Sequence, residues 1–273
     1  MRKIEAVKIT KAVTELVRCA NFFLRNDVLS ALRRAYVLEK NRRAKTILKA
    51  ILDNASCARK DKLAICQDTG MPIVFLQVGQ DVAIRGDLTT AINKGVESGY
   101  KKYYLRNSIV SDPLSRGKSR FSPCVIHTDI VKGNKIKLTF LPKGFGCENK
   151  SQLKMFKPTS SIEEIKDFIV KVVQDAGPDA CPPYIIGVGI GGTADYAGIL
   201  AKKALLRKIS TKNSKLEEDL LKQINKTGIG PMGLGGINTA LAVHVQTYPT
   251  HIAGLPVSVN ISCHALRSAS VIL

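Results

Sequence analysis

Residues 181–193 read Cys-Pro-Pro-Tyr-Ile-Ile-Gly-Val-Gly-Ile-Gly-Gly-Thr, and this stretch does most to decide the fold. The apolar run at 184–190 predicts a buried strand, and the pattern at 194–207 predicts a helix directly after it. The glycines formally match GxGxxG, but a dinucleotide site needs an acidic residue about 20 positions later. The chain is neutral or basic around position 207. We therefore expect these glycines either to permit close packing or to bind an anion that is not a phosphate.

Helices are predicted on both sides of this strand–helix unit. The first 55 residues carry apolar side chains at helical spacing and predict three helices, the second of which starts near Asp27 as its N-cap. Ser161 with Glu164, and Ser214 with Glu217, have the spacing of capping boxes. Each capping box predicts the start of a further helix.

Strands are predicted in the rest of the chain. Residues 124–131 and 135–141 alternate in polarity around Gly133-Asn134, which predicts a hairpin with its second strand beginning at Lys135. In that strand we expect Ile136, Leu138 and Phe140 to face inward, and Lys135, Lys137 and Thr139 to face outward. Further strands are predicted at 72–78, 239–246 and 256–262.

These elements predict an α+β fold in which a helical N-terminal part precedes a mixed or antiparallel sheet packed with helices. We expect one catalytic domain over residues 1–273, with the helical part at about 1–60 and the α+β body at about 61–273. The chain contains no apolar run of membrane-spanning length and no secretory signal, so a cytoplasmic protein without membrane contact is expected.

Charge is distributed unevenly along the chain. The net charge is +20, and residues 1–60 alone contribute +10. Solvated helix faces explain such a region most simply, but a basic protein that binds nucleic acid or another anion is an alternative. Trp is absent and aromatic residues are only 5%, so a base-stacking platform is not expected. Residues 227–273 carry a single charge, Arg267, and are therefore expected to be buried in this chain or covered by a partner.

Cysteine is the residue type that best indicates chemistry here. The chain has seven cysteines and no CxxC pair, which argues against a disulfide framework and a zinc ribbon. Cys66, Cys181 and Cys263 each lie at the start or end of a predicted strand, beside Gly or Pro. Three thiolates suffice to hold an iron–sulfur cube while one iron keeps no protein ligand. Each cysteine alone is equally explained as a small buried apolar side chain.

Three polar segments accompany these cysteines, and each has a simpler explanation beside the functional one. Cys66-Gln67-Asp68-Thr69-Gly70 is either a site or a polar turn before a strand. Gly144 and Gly146 either present backbone N–H groups to an anion or belong to an ordinary loop. His251 lies in the charge-poor region, where a lone histidine is most simply a hydrogen-bonded core residue.

Five segments carry a resemblance to a known family. CQDTG, KGFGCENKS, CPPYIIGVGIGGT, GIGPMGLGG and HIAGLPVSVNISC occur in this order. They resemble the alpha subunit of class I fumarate hydratase and the related L-tartrate dehydratase alpha subunit. The family is a group of [4Fe-4S] hydro-lyases that reversibly add water to a dicarboxylate, such as fumarate to give (S)-malate. The resemblance implies a beta subunit in an assembly such as α2β2, with a small dicarboxylate as substrate.

The resemblance also implies a role for particular residues. It makes Cys66, Cys181 and Cys263 the ligands of the [4Fe-4S] cluster, and it makes Asp68 and His251 the catalytic residues. Substrate would contact a third set, which consists of Gln67, Asp68, Arg106, Gly144 and Gly146. Three departures from the family are visible: Cys147 replaces the usual Ser, residues 116–123 are more basic, and GGINTALAV lacks the usual Lys.

Overall fold

The computed structural model describes residues 1–209 and 212–273. The helices are α1 Ala6–Phe22, α2 Asn26–Leu38, α3 Arg42–Asp61, α4 Leu88–Lys102, α5 Phe145–Glu148, α6 Ile162–Ala176, α7 Ala194–Ala204 and α8 Lys215–Lys226. The strands are β1 Arg2–Glu5, β2 Met71–Gly79, β3 Val82–Arg85, β4 Ile109–Asp112, β5 Arg116–Arg120, β6 Val125–Val131, β7 Ile136–Lys143, β8 Gln152–Phe156, β9 Tyr184–Gly191, β10 Ala240–Tyr248, β11 Leu255–Ser262 and β12 Ala269–Ile272. The predicted α+β class with a helical N-terminal part is confirmed.

The chain divides into two compact units. The first unit contains Met1–Arg25, Ala55–Phe145 and Arg267–Leu273, and the second contains Asn26–Asn54 and Gly146–Leu266. The expected single domain over 1–273 stays a prediction. No helix in the described part of the chain has both the length and the apolar character needed to cross a membrane.

The first unit is built on a mixed four-stranded sheet in the order β12-β7-β2-β6. Strand β2 runs antiparallel to β7 and parallel to β6. Helices α1 and α4 pack together, because Gly95 and Gly99 have no side chain where Thr10, Val13 and Val17 approach. A core of apolar residues from α1, α4, β2 and β7 fills the space beneath the sheet.

The predicted hairpin at Gly133-Asn134 is wrong in its pairing, although both strands exist. Strand β2 lies between β6 and β7, so these two strands do not pair with each other. The reason is burial: β2 is apolar along almost its whole length and therefore takes a central position, which local turn chemistry cannot reveal. The three predicted inward side chains of β7 are fully buried. Thr139, however, is buried rather than outward, because Ser270 of β12 bonds its hydroxyl.

The second unit is built on the sheet β10-β9-β11-β8. Strand β9 is buried along almost its entire length, as residues 184–190 predicted. Its glycines serve close packing, since a Cβ on Gly187 or Gly189 would lie within about 2 Å of the main chain of α7. Helix α7 ends at Ala204 rather than at 207. Both capping boxes are present as predicted.

The structure tests two further predictions from the sequence. Asp27 is not an N-cap, because α2 already begins at Asn26, and its carboxylate instead accepts a hydrogen bond from the backbone N–H of Ile209. In the charge-poor region 227–273, β10 and β11 are largely buried in this chain. The loops around these strands keep apolar side chains exposed, notably Ile252 at 89%.

Candidate functional site

The turn that contains Cys66, Gln67 and Asp68 is held at both ends in the first unit. At its start, the backbone N–H of Ile65 donates to the carbonyl of Asn21 (3.0 Å). At its end, the buried Tyr100 hydroxyl lies 2.8 Å from the carbonyl of Thr69 and 3.1 Å from that of Gly70. A glycine is required at position 70, where φ is +78° and a Cβ would lie 2.6 Å from Pro142. These contacts fix the backbone of the turn at both of its ends.

Asp68 is oriented by main-chain donors. One carboxylate oxygen accepts from the N–H of Gly70 (2.9 Å), and the other accepts from the N–H of Phe145 (2.8 Å). Gly144 allows this approach, because a Cβ there would lie 3.1 Å from the second oxygen. Since α5 begins at Phe145, the second contact joins Asp68 to the glycine-containing loop that the sequence singled out.

Arg106 lies beside the same turn through its backbone. Its N–H donates to the hydroxyl of Thr69 (3.1 Å), and its carbonyl lies 3.4 Å from that hydroxyl. The side chains of Arg106 and Gln67 are exposed, whereas Asp68 is half-buried. The structure thus brings Cys66, Gln67, Asp68, Arg106 and Gly144 together around one turn.

The second unit brings Cys181 and Cys263 together. His264, which follows Cys263, lies with its Nδ1 atom 3.0 Å from the carbonyl of Cys181, and its backbone N–H donates to the same carbonyl. Cys181 itself has φ +58°, a left-handed conformation that costs a residue with a side chain about 1–2 kcal/mol. Its N–H is satisfied by the carbonyl of Pro178 (3.1 Å).

A glycine-rich loop at residues 228–239 supports the Cys181 turn. The N–H of Met232 donates to the carbonyl of Pro182 (2.9 Å), and Gly233 packs against Pro178. Glu39, only 2% exposed, anchors the other end of this loop. Its two carboxylate oxygens accept four N–H groups, from Lys40, Asn41, Ile237 and the amide of Asn238.

The protonation of Glu39 follows from this environment. Burial alone raises the pKa of Glu39, but the hydrogen bonds from Asn238, Asn41, Ile237 and Lys40 outweigh it and leave the pKa below its usual value. The carboxylate is therefore charged at neutral pH and holds the loop in that form.

His251 is not the buried core histidine that the simpler explanation predicted, because its side chain is exposed. Its Nδ1 atom accepts a hydrogen bond from the backbone N–H of Ala253 (3.1 Å). In the neutral ring the proton then lies on Nε2, which makes that atom a donor. Gly146 is also exposed, and a Cβ there would meet only open space.

Three of the remaining cysteines lie in settings that raise the pKa of the thiol. Burial raises the pKa of Cys124 to about 12, and burial together with the nearby Glu15 raises the pKa of Cys19. A hydrogen bond to Asp61 raises the pKa of the exposed Cys57. Cys147 is buried, with its sulfur 3.4 Å from the carbonyl of Ala180. Cys19 and Cys124 are half-buried like Cys66, Cys181 and Cys263, whereas Cys57 is exposed and Cys147 is buried.

The chemistry of Cys66, Cys181 and Cys263 fits an iron–sulfur cube better than a single metal ion. Within residues 1–209 and 212–273, no three His, Cys, Asp or Glu side chains converge tightly enough to hold one ion. Cluster-binding thiolates bind separate irons at the corners of a cube, so they need not meet at one point. Three half-buried thiols have the donor chemistry that such a cluster requires.

Four residues that the sequence did not single out for the site hold these turns. Asn21, Tyr100 and Arg267 contact the Cys66 turn, and Glu39 anchors the loop behind the Cys181 turn. The sequence could have drawn attention to Arg267, because it is the single charged residue in 227–273. The other three lie in or next to helices, and no sequence pattern indicated a role for them in the site.

Similarity to known proteins places the chain in the iron–sulfur hydro-lyase family. A family model described as fumarate hydratase (Fumerase) matches residues 10–272, and the chain belongs to this family. A relative named putative L(+)-tartrate dehydratase subunit alpha, from Methanocaldococcus jannaschii, is 42% identical over 96% of each chain. The L(+)-tartrate dehydratase subunit alpha of Escherichia coli O157:H7 is 28% identical, over 97% of this chain and 91% of its own.

Proposed function

We propose that this chain is the alpha subunit of a [4Fe-4S]-dependent dicarboxylate hydratase that acts in the cytoplasm. The observation that carries the proposal is the geometry of two cysteine turns, one with Asp68 beside Cys66 and one with Cys181 bonded to the Cys263 segment. Membership of the fumarate hydratase family supports the same reaction class.

The residues that would hold the cluster are Cys66, Cys181 and Cys263. When bound, the cluster would supply an iron without a protein ligand as a Lewis acid at the substrate oxygen. The thiols are accessible enough to be metallated, since each is only half-buried.

This chain would bind the substrate and handle one proton. Arg106 offers a planar guanidinium that pairs with a carboxylate through two hydrogen bonds, and Gln67 offers an exposed amide beside it. Asp68 would give or take the proton at the substrate hydroxyl, because main-chain donors fix its carboxylate. His251 would donate through Nε2, and Gly144 and Gly146 line the loop that approaches the substrate.

The proposed assembly requires a beta subunit, for instance as α2β2. Removal of the C3 proton needs a base, and we assign that base to the partner. The relatives from Methanocaldococcus jannaschii and Escherichia coli are both named as subunit alpha, which supports a partner for this chain as well. The exposed apolar side chains around β10 and β11 are compatible with a covering subunit.

Fumarate and (S)-malate are the first proposed pair, with L-tartrate as the alternative. The names of the two relatives favour tartrate, whereas the description of the family favours fumarate. One experiment separates them: the chain is purified without oxygen, reconstituted with iron and sulfide, and combined with its beta subunit. Iron and acid-labile sulfide near four per chain, with turnover of one of the two substrates, is the expected result. Cluster-free protein in the complete assembly would contradict the proposal.

A further inference from the structure

Arg267 is a buried cation whose role the reaction outlined above leaves unexplained. The residue is 4% exposed and belongs to the first unit. Within residues 1–209 and 212–273, no carboxylate forms an ion pair with it. Burial of a charge without an ionic partner is costly, so arginine is rarely found in such a place.

The guanidinium of Arg267 donates two hydrogen bonds, both to neutral acceptors. Its Nη2 donates to the main-chain carbonyl of Asp68 (2.6 Å), and its Nη1 donates to the side-chain oxygen of Asn21 (3.2 Å). Asn21 is fully buried and fixed in turn, because its amide donates to the carbonyl of Val17 (2.9 Å). The carbonyl of Asn21 accepts the N–H of Ile65.

These hydrogen bonds form one buried network that holds the Cys66 turn at two points. Ile65 immediately precedes Cys66, and Asp68 closes the Cys66–Gln67–Asp68 segment. Asn21 holds the first point and Arg267 holds the second, while Asn21 and Arg267 also hold each other. A planar fork with several donors reaches two acceptors at once, which a lysine ammonium does with less fixed geometry.

We propose that Arg267 is a positioning residue that, with Asn21, presets the Cys66–Asp68 turn for ligand binding. Its cationic end also lies close to the reactive carboxylate. A Cβ added to Gly144 would lie 3.1 Å from Asp68 Oδ2 and 4.0 Å from Arg267 Nη2. The catalytic consequence rests on the proposed hydratase function, but the positioning of the turn does not.

The positioning role is tested by hydrogen–deuterium exchange of the full-length chain without cluster. Arg267→Met should raise the exchange rate of amides in residues 65–70 by about 10-fold, the size expected when a hydrogen bond to a charged group is lost. Arg267→Lys should raise it less, because one donor remains. Arg33→Met, an exposed arginine on α2, is the matched control and should leave these amides unchanged. Unchanged exchange at 65–70 in Arg267→Met would overturn the proposal.

Kinetics of the reconstituted complex give a second readout. A misplaced turn should lower kcat by about 100-fold with little change in KM, because the groups remain but their geometry is lost. An increase in KM alone would show that Arg267 binds substrate directly, and the positioning role would then be wrong. If Arg267→Met does not fold, both measurements are made on Arg267→Lys instead. If the wild-type chain binds no cluster, the exchange result still decides the positioning role.

Discussion

The two cysteine turns use the same ligand type but are held in different ways. Side chains from distant parts of the sequence hold the Cys66 turn, namely Tyr100 and Arg267, together with the main chain of Asn21. The Cys181 turn is held mostly by main-chain groups, and its own backbone is left-handed. The first turn should therefore be sensitive to the loss of a polar side chain. The second should be sensitive to changes in the backbone and glycines that support it.

The largest expected effect distinguishes the three cysteines proposed as cluster ligands from the other four. Changing Cys66, Cys181 or Cys263 to Ser should remove the cluster from both turns alike, because a cube bound by two thiolates is poorly held. Cys19→Ser and Cys57→Ser should keep the full iron content, since these thiols lie on helices α1 and α3. Iron and sulfide analysis after reconstitution measures this. Full cluster absorbance in the Cys181 variant would exclude that cysteine as a ligand.

The next effect concerns chemistry at the first turn. Asp68→Asn should retain the cluster but lower kcat by about 100-fold or more, because an amide cannot exchange the proton that a carboxylate does. One of its two main-chain donors would also face an NH2 group. Steady-state kinetics with iron content measured in parallel provide the test. Unchanged kinetics would remove Asp68 from the proton-transfer role.

Glu39→Gln tests the support of the second turn. Two of its four N–H donors would face an amide NH2, so the free energy of unfolding should fall by about 2–3 kcal/mol at pH 7. The pKa of Glu39 lies below its usual value in the folded chain, so its stabilisation is full above about pH 4.3 and is lost as the pH falls further. Urea unfolding at pH 7 and pH 3 measures both effects. Glu218→Gln, an exposed control in the same unit, should cost under about 0.5 kcal/mol.

Tyr100→Phe tests the side-chain support of the first turn. The ring would remain packed, but the carbonyls of Thr69 and Gly70 would lose their buried donor, at a cost of about 1–2 kcal/mol. Tyr104→Phe provides the control, since Tyr104 is 96% exposed. Urea unfolding of both variants gives the difference. Equal stabilities would show that the hydroxyl of Tyr100 does not hold the turn.

The smallest expected effect distinguishes the two glycines of the loop before Cys147. Gly144→Ala should lower kcat/KM by about 10-fold or less, because the added methyl group would press on the carboxylate of Asp68. Gly146→Ala should change it little unless substrate itself comes close, since the corresponding space is open. Equal losses in both variants would indicate that substrate contacts both glycines.

Sequence patterns predicted most secondary-structure elements because their causes are local. Capping boxes at Ser161 and Ser214 define helix starts within one turn of chain. The apolar run at 184–190 forms a strand because its residues are buried on both faces. Strand pairing could not be predicted from such local patterns. Gly133-Asn134 indicated a hairpin, but β2 lies between the two strands. Which strand is central depends on the burial of the whole sheet.

The features of the candidate site also fall into those that local sequence predicts and those that it does not. Residue type and order were sufficient to establish the α+β class, the family and the chemical character of the cysteine, aspartate and arginine segments. Three features became visible only in the folded chain: the N–H of Phe145 donates to Asp68, His251 is exposed, and Arg267 is buried against the Cys66 turn. Such contacts join residues that are 77 or 199 positions apart, and no local pattern records which distant side chain packing brings to a given turn.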